Sequence, residues 1–284
     1  KPGGFVAKRQ ALERALVAAA PADRERLRLR LSQFLLGQGF AVESIGVLQV
    51  AAQHRPELVK EPRFLLLRGA AQSLAGRVGP AVDDLQKAQA AAPTHETGLW
   101  VAAAQTAAGE PADSAALASL PQATAIVLSY PVPLRGPLTM LLAEAAVVAG
   151  REDEAQRLMT VAKQTATGGA AKSRLAYLEG RRREGRGEID EAIAAYEEAA
   201  RLDPRRGRAQ AQLALTQLRL RQGRISTAEA AAALEGLRHA WRGDALEFQV
   251  LRELGRLQLE TGNYAAGLRT LKLAVSDYAD LPGA

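Results

Sequence analysis

The chain has 284 residues, of which 48% are hydrophobic, 24% charged and only 4% aromatic, with a net charge of +6. The apolar fraction is large enough to bury a core and excludes an intrinsically disordered chain. The absence of cysteine excludes disulfides and thiolate metal sites. Arginines alternate with acids along the same segments, so the basic balance reads as a solvated surface rather than a nucleic-acid patch. Alanine and leucine, the strongest helix formers, carry much of the apolar mass and point to an all-α protein.

In chain order, residues 5–20 read as an opening helix stopped at Pro21. Asp23 suits an N-cap for the next helix, 24–36, which pairs with 41–53 ahead of Pro56. Residues 64–74 and 80–91 form a second pair closed by Pro93, and 97–108 with a short 111–120 form a third. Prolines at 121, 131, 133 and 137 exclude one continuous helix across 121–137, which reads as an irregular connection and a hinge between two sub-arrays. A fourth pair spans 138–149 and 152–164. A fifth lies in 173–204, joined at Gly187 and closed by Pro204; a sixth pairs 208–222 with 226–240, and a seventh 245–261 with 264–278. The expected organisation is a lead-in over 1–22, three units over 23–120, the connection over 121–137 and four units over 138–284.

A glycine follows the first helix of every pair, at Gly39, Gly76, Gly109, Gly150, Gly187, Gly223 and Gly262, at intervals of 33 to 41 residues. A period in that range marks a stacked helical array. Five residues after each glycine stands a small residue: Ser44, Ala81, Ser114, Ala155, Ala192, Ala228 and Gly267. In six of the seven units a larger apolar residue follows on the same face, at Leu48, Leu85, Leu117, Met159, Tyr196 and Leu271. Seven residues before Gly76, Gly187 and Gly262 stands another glycine, at Gly69, Gly180 and Gly255. Small residues at these spacings let helices cross closely.

Leu251-x-x-Leu254-Gly255, Gly262-Asn263-Tyr264 and Asp190-Glu191-Ala192-Ile193 resemble the tetratricopeptide repeat. The resemblance covers roughly residues 24–280; Arg68 and Glu179 stand where its pattern has leucine before glycine. It implies a right-handed helical-hairpin solenoid of about seven helix pairs plus an N-terminal helix. It also implies a non-catalytic scaffold that holds a partner's extended peptide or helix in a concave groove lined by each unit's first helix.

On that implied groove, Arg174, Tyr177 and Arg181 share one face of the fifth unit, and Arg252 and Arg256 one face of the seventh. Arg26, Gln33, Arg63, Met140, Glu144, Leu213 and Gln217 hold equivalent places elsewhere. The arginines suit a carboxylate-bearing partner, although the Lys/Asn set with which some family members clamp a C-terminal carboxylate is missing.

No catalytic, metal or cofactor motif is expected. His54, His95 and His239 are scattered, and Gly180–Gly187 lacks the Gly-Lys-Ser/Thr close of a phosphate loop. Arg242-Gly243-Asp244 reads as a loop before a helix. The most apolar run, 138–149, falls short of the ~18 residues that cross a bilayer. Two rival readings are nucleic-acid binding through the basic surface, disfavoured by the few aromatics, and self-association through an uncapped apolar C-terminal end. Arginine over lysine, abundant alanine and a single asparagine, Asn263, suggest a bacterial source. The start at Lys1-Pro2-Gly3-Gly4 suggests a soluble segment of the cytoplasm or periplasm, excised from a longer array or a membrane-tethered protein.

Overall fold

A computed structural model describes residues 3–203, 206–242 and 245–279; Pro204, Gly243 and Asp244, named above, lie outside them. Helices and their connecting turns account for the described residues, with no strand among them. The opening helix is α1 (Gly3–Ala18). The helix pairs follow: α2 (Pro21–Gly37) with α3 (Ala41–His54), α4 (Pro62–Leu74) with α5 (Val78–Ala91), and α6 (His95–Ala107) with the single turn α7 (Ser114–Leu117). After α8 (Ala123–Ser129) come α9 (Val132–Val148) with α10 (Glu152–Thr165) and α11 (Gly168–Gly185) with α12 (Ile189–Leu202). The chain continues with α13 (Arg206–Arg221) and α14 (Thr227–Leu237), then α15 (Ala245–Glu260) and α16 (Tyr264–Asp277). It forms two compact units, Lys1–Thr165 and Ala166–Ala284. Within each, a helix packs on its own partner and on the first helix of the next pair, as α12 does on α11 and α13. Among the described residues, no helix is long and apolar enough to cross a membrane.

The repeating glycines do the same job seven times. Each has φ between +65° and +85°, a region that only glycine enters without strain. At each, the glycine N–H bonds the carbonyl three residues back and the next N–H the carbonyl five residues before itself, as in Gly187→Glu184 at 3.0 Å and Glu188→Arg183 at 3.0 Å. This Schellman arrangement satisfies the last free carbonyls of the first helix and turns the chain into the second.

The small residues follow the glycines in five units but slip in two. Ser44, Ala81, Ala155, Ala192 and Gly267 are buried where helices cross. Ser44 can be polar there because its hydroxyl lies 2.7 Å from that of the equally buried Ser32. Ser114 and Ala228 are exposed instead, and the buried places fall two residues later, on Ala116 and Ala230. In both units a longer turn ends in a side-chain cap, Asp113 on the Ala116 N–H and Ser226 on the Glu229 N–H, which delays the helix start. With that shift the sixth unit also has its large residue, the fully buried Leu234.

The first helix meets the second through glycine. A Cβ on Gly69 would sit 2.5 Å from Leu85 Cγ, on Gly180 2.6 Å from the Tyr196 ring, and on Gly255 2.6 Å from Leu271 Cγ. The unexpected Arg68 has its own solution: a two-point bond to Asp84 of α5 at 2.6 and 2.7 Å. Glu179 instead takes bonds from Arg182 and Arg183 on its own helix.

The stretch 121–137 is far more helical than its prolines suggest. It holds a 3-10 turn, Leu120–Gln122, then α8, and α9 runs straight through Pro137. Pro137 lies in the second turn of α9, so its missing N–H forfeits one of the helix's first bonds rather than a central one. At the other end, α16 leaves Tyr264 and Leu268 66% and 63% exposed.

Candidate functional site

In the unit Ala166–Ala284, the first helices of three successive pairs line one cavity of about 240 Å³. Tyr177, Arg181 and Glu184 come from α11, Gln210, Leu213, Ala214, Gln217 and Arg221 from α13, and Leu246 and Gln249 from α15. The spacing accounts for this. Residues 177, 181 and 184 recur at four and three positions, as do 210, 213, 214, 217 and 221, so each set lies on one helical stripe.

The floor is apolar and fixed. Tyr177 and Leu213 are 9% and 5% exposed, and the Tyr177 ring lies 5.7 Å from that of Tyr196. Burial pushes the Tyr196 phenol well above its usual range, and the hydrogen bond that its hydroxyl donates to the Glu184 carboxylate at 2.6 Å adds to this. The other Glu184 oxygen accepts from Arg221. Arg181 is held differently: Nη1 donates to the Tyr177 hydroxyl at 3.2 Å, and it makes no ion pair with the described residues. Its remaining N–H groups share the cavity with three glutamines, with Arg221 and with Glu184, whose negative charge acts on Arg181 without a direct ion pair.

The unit Lys1–Thr165 has a second cavity, of about 410 Å³, lined from α2, α4 and α6 and by the segment 130–134. Gln33 and Arg63 lie in its wall. The Tyr130 hydroxyl accepts from Trp100 Nε1 at 3.0 Å and donates to Glu96. Burial, with the Glu96 bond behind it, raises the Tyr130 phenol well above its usual range.

Of the residues expected on a groove, Tyr177, Arg181, Leu213 and Gln217 therefore share one cavity, and Gln33 and Arg63 share the other. Arg26, Met140, Glu144, Arg174, Arg252 and Arg256 line neither. Arg26 pairs with Asp23 at 3.1 Å, Met140 is 7% exposed, and Glu144 and Arg174 are half-buried. Arg252 stacks on Phe248 with 5.6 Å to the ring centre, and Arg256 pairs with Glu253 and Glu260. Sequence reasoning missed Glu184, Gln210, Arg221 and Gln249. Gln210 stands seven residues before Gln217, a two-turn spacing that marks the same stripe. Among the described residues, no group of three or more His, Asp or Glu is placed to hold a metal ion.

No protein-family model and no curated protein matches the chain. Solved structures do. The apo form of the quorum sensor NprR from B. thuringiensis matches with a TM-score of 0.56 at 12% identity, over 94% of this chain and 91% of that one. A human IFIT1 dimer with PPP-AAAA gives 0.55 at 14% identity, over 89% of this chain and 59% of that one. The Cut9-Hcn1 hetero-tetramer of the APC/C gives 0.50 at 13% identity, over 98% and 50%.

Proposed function

Because the chain carries the tetratricopeptide-repeat fold, we propose that it is a non-catalytic interaction scaffold whose 166–284 unit holds an extended segment of a partner protein. The segment lies against α11, α13 and α15. Arg181 carries this reading: a guanidinium facing a cavity, bonded to the Tyr177 hydroxyl and, among the described residues, ion-paired to no carboxylate, since the Glu184 of the same cavity is held by Arg221 and Tyr196. A charged group left with spare donors in a concave site suits a ligand carboxylate, gripped in a two-point fork. Gln210, Gln217 and Gln249 each offer donors and an acceptor, which matches the alternating N–H and C=O of an extended backbone. Arg221 serves a different purpose, holding Glu184 and through it Tyr196.

Selection of phage-displayed random peptides on the intact chain tests this. The enriched peptides are expected to carry an acidic residue and to lose at least about tenfold in affinity on Arg181→Glu, or ~1.4 kcal/mol. Equal binding by the two proteins contradicts the proposal. If oligonucleotides bind instead, with affinity falling steeply as salt rises, the nucleic-acid reading replaces it.

A further inference from the structure

Between α14 and α16, over the C-terminal end of α15, lies an open cleft of about 910 Å³. Ala228, Ala231 and Ala232 form one wall, and Ala266, Thr270 and Leu273 the other. It shares no residue with the Arg181 cavity. Gln249, which lines that cavity, and Gln258, which lines this cleft, stand about two and a half turns apart on α15, so they face opposite ways.

The apolar lining is particular to this place. Gly267 and Ala192 each follow their turn glycine by five residues. Counted from there, Ala266 and Leu273 of α16 match Glu191 and Glu198 of α12. Where α12 presents two carboxylates, α16 presents a methyl group and a leucine that is 36% exposed.

The floor of the cleft is polar, but its groups bond one another. Thr270 Oγ1 donates to Gln258 Oε1 at 2.8 Å, Gln258 Nε2 to Glu235 at 3.2 Å, and Arg238 to the other Glu235 oxygen at 3.1 Å. An extended backbone laid here would leave N–H groups unmatched, at a cost for each one buried. A helix satisfies its own backbone and needs only an apolar face, and alanine walls let it approach closely. On the rim, Arg269 and Lys272 are exposed and make no ion pair with the described residues, while Glu235 is matched by Arg238. The cleft is therefore positive, and the helix that suits it carries acids beside its apolar face. Among the described residues no aromatic side chain lines it, so it offers stacked bases no platform.

We propose that this cleft docks an amphipathic helix of a partner protein, with small apolar side chains against α14 and α16 and carboxylates against Arg269 and Lys272. An extended segment held at Arg181 touches neither cation, so the two sites are independent and either can fail alone.

The test is selection on the intact chain from a library of lactam-bridged helical peptides of about 15 residues, a length at which an unconstrained helix is marginal. Enriched peptides are expected to carry apolar residues at three- and four-residue spacing, flanked by Asp or Glu. By fluorescence anisotropy, their affinity is expected to fall at least about tenfold on Arg269→Glu with Lys272→Glu, and to return when the peptide's own acids are changed to lysine. Ala232→Trp, which obstructs the cleft from an exposed position, abolishes binding, and Arg181→Glu leaves it unchanged. Should Ala232→Trp not fold, the charge reversal and its rescue still decide. Failure to enrich such a helix, indifference to the charge reversal, loss of binding on Arg181→Glu, or an oligonucleotide that binds through the same two cations in place of the helix would each overturn the proposal.

Discussion

Gly180→Ala is expected to destabilise the protein by about 3 kcal/mol, the upper part of the range for overpacking a close-packed core. The added methyl would stand 2.6 Å from both Tyr196 Cδ1 and Cε1, distances no van der Waals contact tolerates. Relief requires either the ring or the helix to move. The ring is fully buried, bonded at its hydroxyl to Glu184 and packed on Tyr177, so it has nowhere to go. Parting α11 from α12 instead would empty the interface around Ala192. Gly185→Ala is the control. It lies on the same helix with nothing within 4 Å of an added Cβ, and is expected to be neutral or stabilising by up to about 1 kcal/mol. Urea denaturation of the two variants and of Gly180→Ala/Tyr196→Leu measures this. A single-variant loss below ~0.5 kcal/mol, or no recovery in the double, counts against the packing account.

The second large effect is expected at Asp84. Asp84→Ala leaves the Arg68 guanidinium without its carboxylate, stacked on Phe64 with 5.1 Å to the ring centre. Removing one partner of a buried pair costs about 3–5 kcal/mol. Here the Arg68 side chain is 23% exposed, and water reaching it brings the expected cost to about 3 kcal/mol. Replacing both residues, as Arg68→Met with Asp84→Leu, is expected to restore most of that loss, since an apolar pair of similar size avoids the desolvation of two charges. Thermal melts of the single and double variants decide the matter; additive losses would mean that the pair is not a coupled unit.

Arg68 also shows what the sequence could and could not reveal. Its place before a glycine called for leucine, as Leu254 provides in the last unit, fully buried. The ion pair that replaces it joins residues 16 apart on two helices, and no local pattern announces it. The glycines were legible because positive φ is a backbone demand that only one residue type meets cheaply. The small-residue register was legible only where the turn length stays constant. It slipped by two at Asp113 and Ser226, where capping outweighed the count from glycine, although Ser226-x-x-Glu229 is itself a capping-box signal. The prolines of 121–137 misled in a different way. Proline breaks a helix in its middle and is tolerated near its start, and Pro133 stands in the first turn of α9, which opens at Val132.

The candidate groove was half legible. Helical spacing collected Tyr177, Arg181, Leu213 and Gln217, because one stripe of each of these first helices lines the same cavity. It could not tell that Arg252 and Arg256 are taken up by Phe248, Glu253 and Glu260, since intrahelical pairing and ligand contact share the same three- and four-residue spacings. Nor could it tell that Arg181 keeps spare donors while Arg221 is committed to Glu184, a difference set by which carboxylate lies across the interface.

The central claim, that a partner segment lies along α11, α13 and α15, is tested most directly by placing a photo-crosslinking phenylalanine at two exposed positions. Gln249 lines the groove, and Arg269 lies on α16 outside it. With a peptide selected on the unmodified chain, the account predicts an adduct from Gln249 that Arg181→Glu removes, and none from Arg269. An adduct at Arg269 without one at Gln249 would contradict it.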